Sequence, residues 1–194
     1  MKFDITTRLE VVERLIDRTT NPRHRAILLN YHRHSTLEVC GYYEEILGPD
    51  MTVEHPHYVF HSGGRHWTVE GMPAVREMYR KMVESGSTTI HHTDEVLVVD
   101  DHGFLSEYMT HRWWQGEDLV RRGQTVPDSS LNYVVSQSFL VRWPFDAAGR
   151  MIGERVFYGN DLVVRPCPDE EFVTLAETRA KLVPLLRPLE NAPL

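Results

Sequence analysis

The sequence predicts a single α+β domain with helices packed on one side of a curved sheet. Three observations carry this. Apolar residues recur at helical spacing through most of the first half, the pattern turns to strands after residue 88, and hairpin-type turn sequences separate those strands. A chain of 194 residues with 41% hydrophobic content can bury one sizeable core, and two domains are not expected.

Thr7 and Glu10 have the spacing of a capping box, followed by Leu9, Val12, Leu15 and Ile16 on one face, so the first helix is expected from about 7 to 20. Asn21 and Pro22 read as N-cap and first position of a second helix bearing Ile27, Leu28 and Tyr31. That helix is expected to break around 34–36, resume through Val39, Tyr42, Tyr43, Ile46 and Leu47, and end at Gly48 and Pro49.

"MTVEHPHYVFHSGG" and "HWTVEG" form a hairpin about Gly63 and Gly64, and the segment 71–86 is a third helix opened by Pro73 and closed by Gly86. Strands follow at 88–99, 103–115, 131–144 and 150–158, with turns at 100–103 and 146–149. The connection 117–130 is longer than a hairpin needs and reads as a lid or interface loop. A last helix at 169–186 carries Phe172, Leu175, Ala176, Leu182 and Val183, with Arg179 at the edge of its contact and Pro184 at its end. The domain proper is expected over 1–165, with 166–194 a helical extension of it.

A net charge of -7 and the lack of any run of Lys and Arg argue against a nucleic-acid surface. Apolar runs such as "VLVV" are too short to span a membrane, and the N-terminal residues do not resemble a signal peptide, so a cytoplasmic protein is expected. Cys40 and Cys167 are expected as reduced thiols without a catalytic role.

The succession of helix, broken helix, "DMTVEHP", "VEGMPAVREMYRKM", "TIHHTDEVLVVDD" and "FDAAGRMIGERVFYGND" resembles the SnoaL-like branch of the nuclear transport factor 2-like superfamily over residues 8–162. The resemblance implies a cone of curved antiparallel sheet closed by helices, a homodimer, and a pocket for a small apolar or aromatic molecule. No cofactor is expected. The resemblance also implies a reaction of the cyclase, isomerase or dehydratase kind, hence a lyase or isomerase. "TTIHHTDEVLVV" looks like the segment that carries a catalytic histidine in the dehydratase members, which assigns the role to His91, and "ERVFYGND" looks like the cyclase segment, which assigns a proton-handling role to Asp161. The aspartate that partners the histidine in the dehydratase members has no counterpart in "NYHRHSTLE"; His32, His34 and Glu38 are the available substitutes.

His91 and His92 are strand neighbours and must face opposite ways unless a β-bulge intervenes; His91 is expected inward as acid or base, His92 outward. Asp161 in an apolar cavity would have its pKa raised and suit proton transfer beside a carbonyl, whereas "GND" is equally a solvated turn. Tyr31, Tyr58, Trp67, Tyr108 and Trp113 are candidates to bind substrate, with Trp114 beside them.

His55, His57 and His61 share strand parity and form a candidate metal set. His24, His32 and His34 are expected at solvent or a subunit contact, and Arg112, Arg142 and Arg155 on a charged strand face with Glu107 and Glu154. Three readings follow: a metal-free acid/base enzyme on a carbonyl-containing or polyketide-like substrate, a non-catalytic binding or dimerisation module, and a metal-dependent enzyme built on His55, His57 and His61.

Overall fold

The computed structural model describes residues 2–190. A short 3-10 helix, Ile5–Leu9, leads into α1, Glu10–Arg18. Its cap is Asp4, whose carboxylate accepts from the Thr6 amide, rather than Thr7: the chain enters one turn earlier than the capping-box spacing indicates. α2, Pro22–Val39, starts as expected, with the Asn21 side chain accepting from the Arg23 and His24 amides.

No break occurs at 34–36. α2 is buried on nearly all sides from Ala26 to Val39, so tertiary contacts hold the helix through the polar residues that read as a breaker. The chain turns instead at Cys40–Tyr42, where Gly41 has φ +73°, before α3, Tyr43–Ile46.

β1, His57–Ser62, and β2, Arg65–Glu70, form the hairpin about Gly63 and Gly64, and α4, Met72–Glu84, follows. β3, Ile90–Asp100, β4, Gly103–Gln115, and β5, Asn132–Pro144, make the antiparallel meander. The long connection between β4 and β5 contains α5, Gly116–Arg121. β6 is confined to Arg155–Tyr158, and a strand missing from the sequence reading, β7, Val163–Cys167, completes a seven-stranded sheet.

The order is β2-β1-β6-β5-β4-β3, with β7 also on β5. All pairs are antiparallel except β1 with β6. That parallel pair needs Gly153: a Cβ there would lie 2.0 Å from the carbonyl oxygen of His57. β5 is long enough to carry β6 on residues 139–142 and β7 on residues 132–136 along one edge, while β4 covers the other.

β3 contains one irregularity. Its register on β4 shifts between Thr93 and Val96, and Asp94 has φ +58°, the only positive φ of a non-glycine residue among the described residues. An extra residue there reverses the side-chain alternation along the strand.

α6, Leu175–Leu182, is shorter than the expected 169–186 and is flanked by 3-10 turns. Arg179 sits where the chain leaves α2: its Nε donates to the Cys40 carbonyl at 2.8 Å, and its guanidinium lies 4.8 Å from the Tyr42 ring centre. It closes the carboxyl end of α2. Both cysteines are free and buried. Among the described residues no helix is long and apolar enough to cross a membrane.

Candidate active site

The inner faces of the sheet, α2 and α4 enclose a cavity of about 300 Å³. Surface grooves of about 590 and 730 Å³ lie around the end of α4 and are more open to solvent. The chemistry is concentrated in the enclosed cavity.

α2 contributes Tyr31, Ser35 and Glu38 to the wall, with His34 packed beside them. Steps of three, four and seven residues put these polar side chains along one side of an otherwise apolar helix. β6 follows Glu154, and alternation along this segment turns Glu154, Val156 and Tyr158 inward together. The amide of Val59 donates to the Glu154 carbonyl, which anchors the segment to β1.

Glu38 and Glu154 converge on one imidazole, each placing a carboxylate oxygen 3.9 Å from Nε2 of His34. The same nitrogen is 3.0 Å from the Tyr79 hydroxyl, which lies 3.3 Å from the Tyr58 hydroxyl. All five side chains are buried or nearly so.

Burial raises the pKa of Glu154 well above the usual carboxylate range, and the charge of Glu38 adds to the rise, against a hydrogen bond from Tyr79. Burial also raises Glu38, opposed by the charges of Arg8 and Arg112. His34 is pushed down to about 3 by burial, so it stays neutral. Burial likewise pushes the phenols of Tyr58, Tyr79 and Tyr108 well up. Two carboxyls in one dry site do not ionise independently, so the pair holds a proton more tightly than either group would in water.

The two adjacent histidines take the reverse of the expected orientation. His92 lines the cavity, stacked at 4.0 Å on the Tyr108 ring, and no hydrogen bond is made by its buried Nδ1. His91 lies on the other face of the sheet, packed 5.2 Å from the Phe3 ring and 6.1 Å from that of His111. The irregularity at Asp94 is the cause. Leu97 faces the core, and stepping back by twos would bring His91 inward; the extra residue brings Ile90 and His92 inward instead.

Burial, then the charge of Arg8, holds His92 well below its ordinary pKa. Burial also pushes His91 down to about 4.

Asp161 also lies outside the cavity. It is exposed, and its Oδ1 accepts from the Ser138 amide at 3.1 Å and the Ser138 hydroxyl at 2.9 Å. Ser138 falls in the gap where β5 changes partner from β6 to β7, and Asp161 takes up the strand amide left there. Those hydrogen bonds lower its pKa, opposite to the expected direction.

Tyr31, Tyr58, Trp67 and Tyr108 do line the cavity. Tyr31 donates to Glu95 at 3.0 Å, and Trp67, 45% exposed, stands at the rim against Phe60. Trp113 does not line it: it faces outward under Phe3, and its neighbour Trp114 points in. Arg112 and Glu154, expected on an outward charged face, turn inward, while Arg142, Arg155 and Glu107 remain outside.

His32 and His34, expected at solvent or a subunit contact, are fully buried, His32 against Glu13, while His24 pairs with Asp101 at the surface. His55, His57 and His61 do not gather: among the described residues no group of three or more His, Cys, Asp or Glu side chains could hold a metal ion. The His61 ring stacks on Phe157 at 4.3 Å instead.

Glu154 and Tyr79 were not among the site residues read from the sequence, whereas Tyr58, hydrogen-bonded to Tyr79, was. A polar stripe at 31, 34, 35 and 38 on an apolar helix is the signal that could have located the α2 half of the site.

No family model matches the chain, and no curated protein does. Solved structures do. A nuclear transport factor 2-like protein from Anabaena variabilis is similar at TM-score 0.53 and 14% identity, over 74% of this chain and 94% of that one. A candidate polyketide cyclase from Xanthomonas campestris pv. campestris is similar at TM-score 0.50 and 14% identity, over 71% and 93%. At such identities the likeness is one of architecture, and it agrees with the curved, unclosed sheet and the helices that cover it: the chain has the nuclear transport factor 2-like fold.

Proposed function

We propose that this chain is a SnoaL-like, metal-free acid/base enzyme that moves a proton at a carbon beside a carbonyl of a small, largely apolar ring compound. Glu38 and Glu154 are the proton-carrying pair, in place of His91 and Asp161. The observation that carries the reading is the convergence of these two carboxyls on His34 inside an enclosed, aromatic-lined cavity. One carboxylate takes the proton from carbon while its protonated partner, or a tyrosine hydroxyl, donates a hydrogen bond to the developing enolate oxygen. His92, neutral and stacked on Tyr108, adds its ring to the cavity wall. Isomerase, cyclase and dehydratase outcomes all begin with this step.

The test is deuterium exchange at carbon, followed by NMR in D2O over a panel of mono- and bicyclic ring ketones. Wild type should exchange at least one member faster than the Glu38→Gln, Glu154→Gln double variant. Equal rates throughout would remove the catalytic reading, and ligands that bind without exchanging would favour the non-catalytic binding module.

We also propose that the partner is a second copy of the chain, docked on the outer sheet face. Val96, Val98, Leu105, Leu140 and Phe157 are between 40% and 65% exposed there. They are interleaved with Glu107, Arg142 and Arg155, the last two paired in register across β5 and β6. A two-fold axis through such a face can set carboxylate against guanidinium while covering the apolar rows.

A further inference from the structure

Some arginines of this protein are paired with carboxylates and others are not; the exposed Arg14, Arg18, Arg65, Arg142 and Arg155 form no ion pair among the described residues. On the surface, Arg25, Arg76, Arg80 and Arg150 each pair with a carboxylate. Around the cavity, Arg8, Arg112 and Arg122 form no ion pair among the described residues.

Arg8 is committed elsewhere: its Nη1 donates to the carbonyl and hydroxyl of Ser35 at 3.0 and 2.9 Å. Arg112 is not. Its Nε is buried without a hydrogen-bond partner, its guanidinium lies 5.2 Å from the Phe139 ring centre, and the Tyr158 hydroxyl is hydrogen-bonded to it. Arg122 is exposed at the mouth, its guanidinium 4.2 Å from the ring centre of Trp114. Trp114 is the next inward-facing residue after Arg112 on β4, so the two guanidiniums flank one stretch of wall. A side cavity of about 150 Å³ opens between them and is lined by both.

A guanidinium with an unpartnered Nε presents a planar fork of donors that matches a carboxylate better than any neutral oxygen. Building on the proton-transfer reading, we infer that the ligand is an acid, a ring compound whose carboxylate is held by Arg112 and Arg122 at the mouth while its ring body reaches the tyrosines and Glu154. From Arg112 to Tyr108 is four strand residues, roughly 13 Å, which leaves room for one or two fused rings.

The test compares 2-naphthoate with its neutral isostere 2-naphthamide by isothermal titration calorimetry at low and moderate salt. Wild type should bind the acid at least tenfold tighter than the amide, and added salt should narrow the gap. Arg112→Gln should abolish the preference, with acid affinity falling at least tenfold more than amide affinity, and Arg122→Gln, at an exposed position, should reduce the preference several-fold. A wild type that binds the amide as well as the acid, or binds neither, overturns the inference, as does a preference that survives both substitutions. The measurement involves no turnover, so it is separable from the exchange experiment: an acid-selective cavity that exchanges nothing sinks the catalytic reading alone, and exchange of neutral ketones without acid preference sinks this one alone.

Discussion

Glu38 and Glu154 come from opposite ends of the chain and meet at one atom, each 3.9 Å from Nε2 of His34. The proton they can share is held by burial: each is raised, and each ionises less readily when the other is charged.

Removal of either member should therefore act on rate. Glu154→Gln keeps the shape and the hydrogen-bonding capacity but cannot take a proton, and proton transfer by a positioned side chain is typically worth about 10² to 10⁴ in rate. Loss of exchange by that order in Glu154→Gln, with ligand affinity kept within a few-fold, is the expected result.

The same substitution should not cost stability at neutral pH. A carboxyl whose folded pKa is raised favours the fold below its unfolded pKa and loses that contribution as pH rises through the folded value. Thermal melts from pH 4 upward should show wild type losing ground relative to Glu154→Gln, so that the variant at pH 8 melts at or above wild type. A variant that melts lower at every pH would mean that the carboxylate's contacts outweigh its burial.

Histidines give the opposite slope. His91 is held down at about 4 from an ordinary 6.5, so it favours the fold above 6.5 and loses that contribution as pH falls through about 4. His92, also depressed, adds to the acid loss. His91→Leu should flatten the decline in melting temperature between pH 6.5 and 4.5 and leave ligand binding intact. His92→Leu should flatten it too but alter ligand affinity, because only His92 faces the cavity.

The outer sheet face should be separable from the cavity. Leu140→Glu places a charge on an exposed strand position whose register partners are Glu107 and Phe157. Sedimentation should show a dimeric wild type and a monomeric variant with unchanged circular dichroism. A wild type that stays monomeric at high micromolar concentration would end the proposal of a second copy.

Arg179 offers a test of packing alone. Arg179→Ala removes the donor to the Cys40 carbonyl and the guanidinium over Tyr42, and should cost on the order of 1–2 kcal/mol in urea unfolding. Lysine at 179 should recover part of it, since a cation near a helix carboxyl end is itself favourable.

Local chemistry in the sequence determined the start of α2, through Asn21 and Pro22, the Gly63–Gly64 hairpin, α4 and the β3-β4-β5 meander, because caps, turns and side-chain periodicity act over a few residues. It also put aromatic residues where a cavity could use them: Tyr31, Tyr58, Trp67 and Tyr108 all face it. Only the tertiary structure decided which histidine faces inward, because one extra residue at Asp94 reverses the alternation that the sequence displays unbroken. Only it made α2 continuous, by burying the polar stretch that reads as a break, and turned that stretch into half of a proton-handling site. The other half, Glu154, reads as one more charge on a strand until the β1–β6 pairing fixes which way it points. Burial then does what no local pattern can: it removes the water that would otherwise leave two glutamates, a histidine and three tyrosines at their ordinary pKa values.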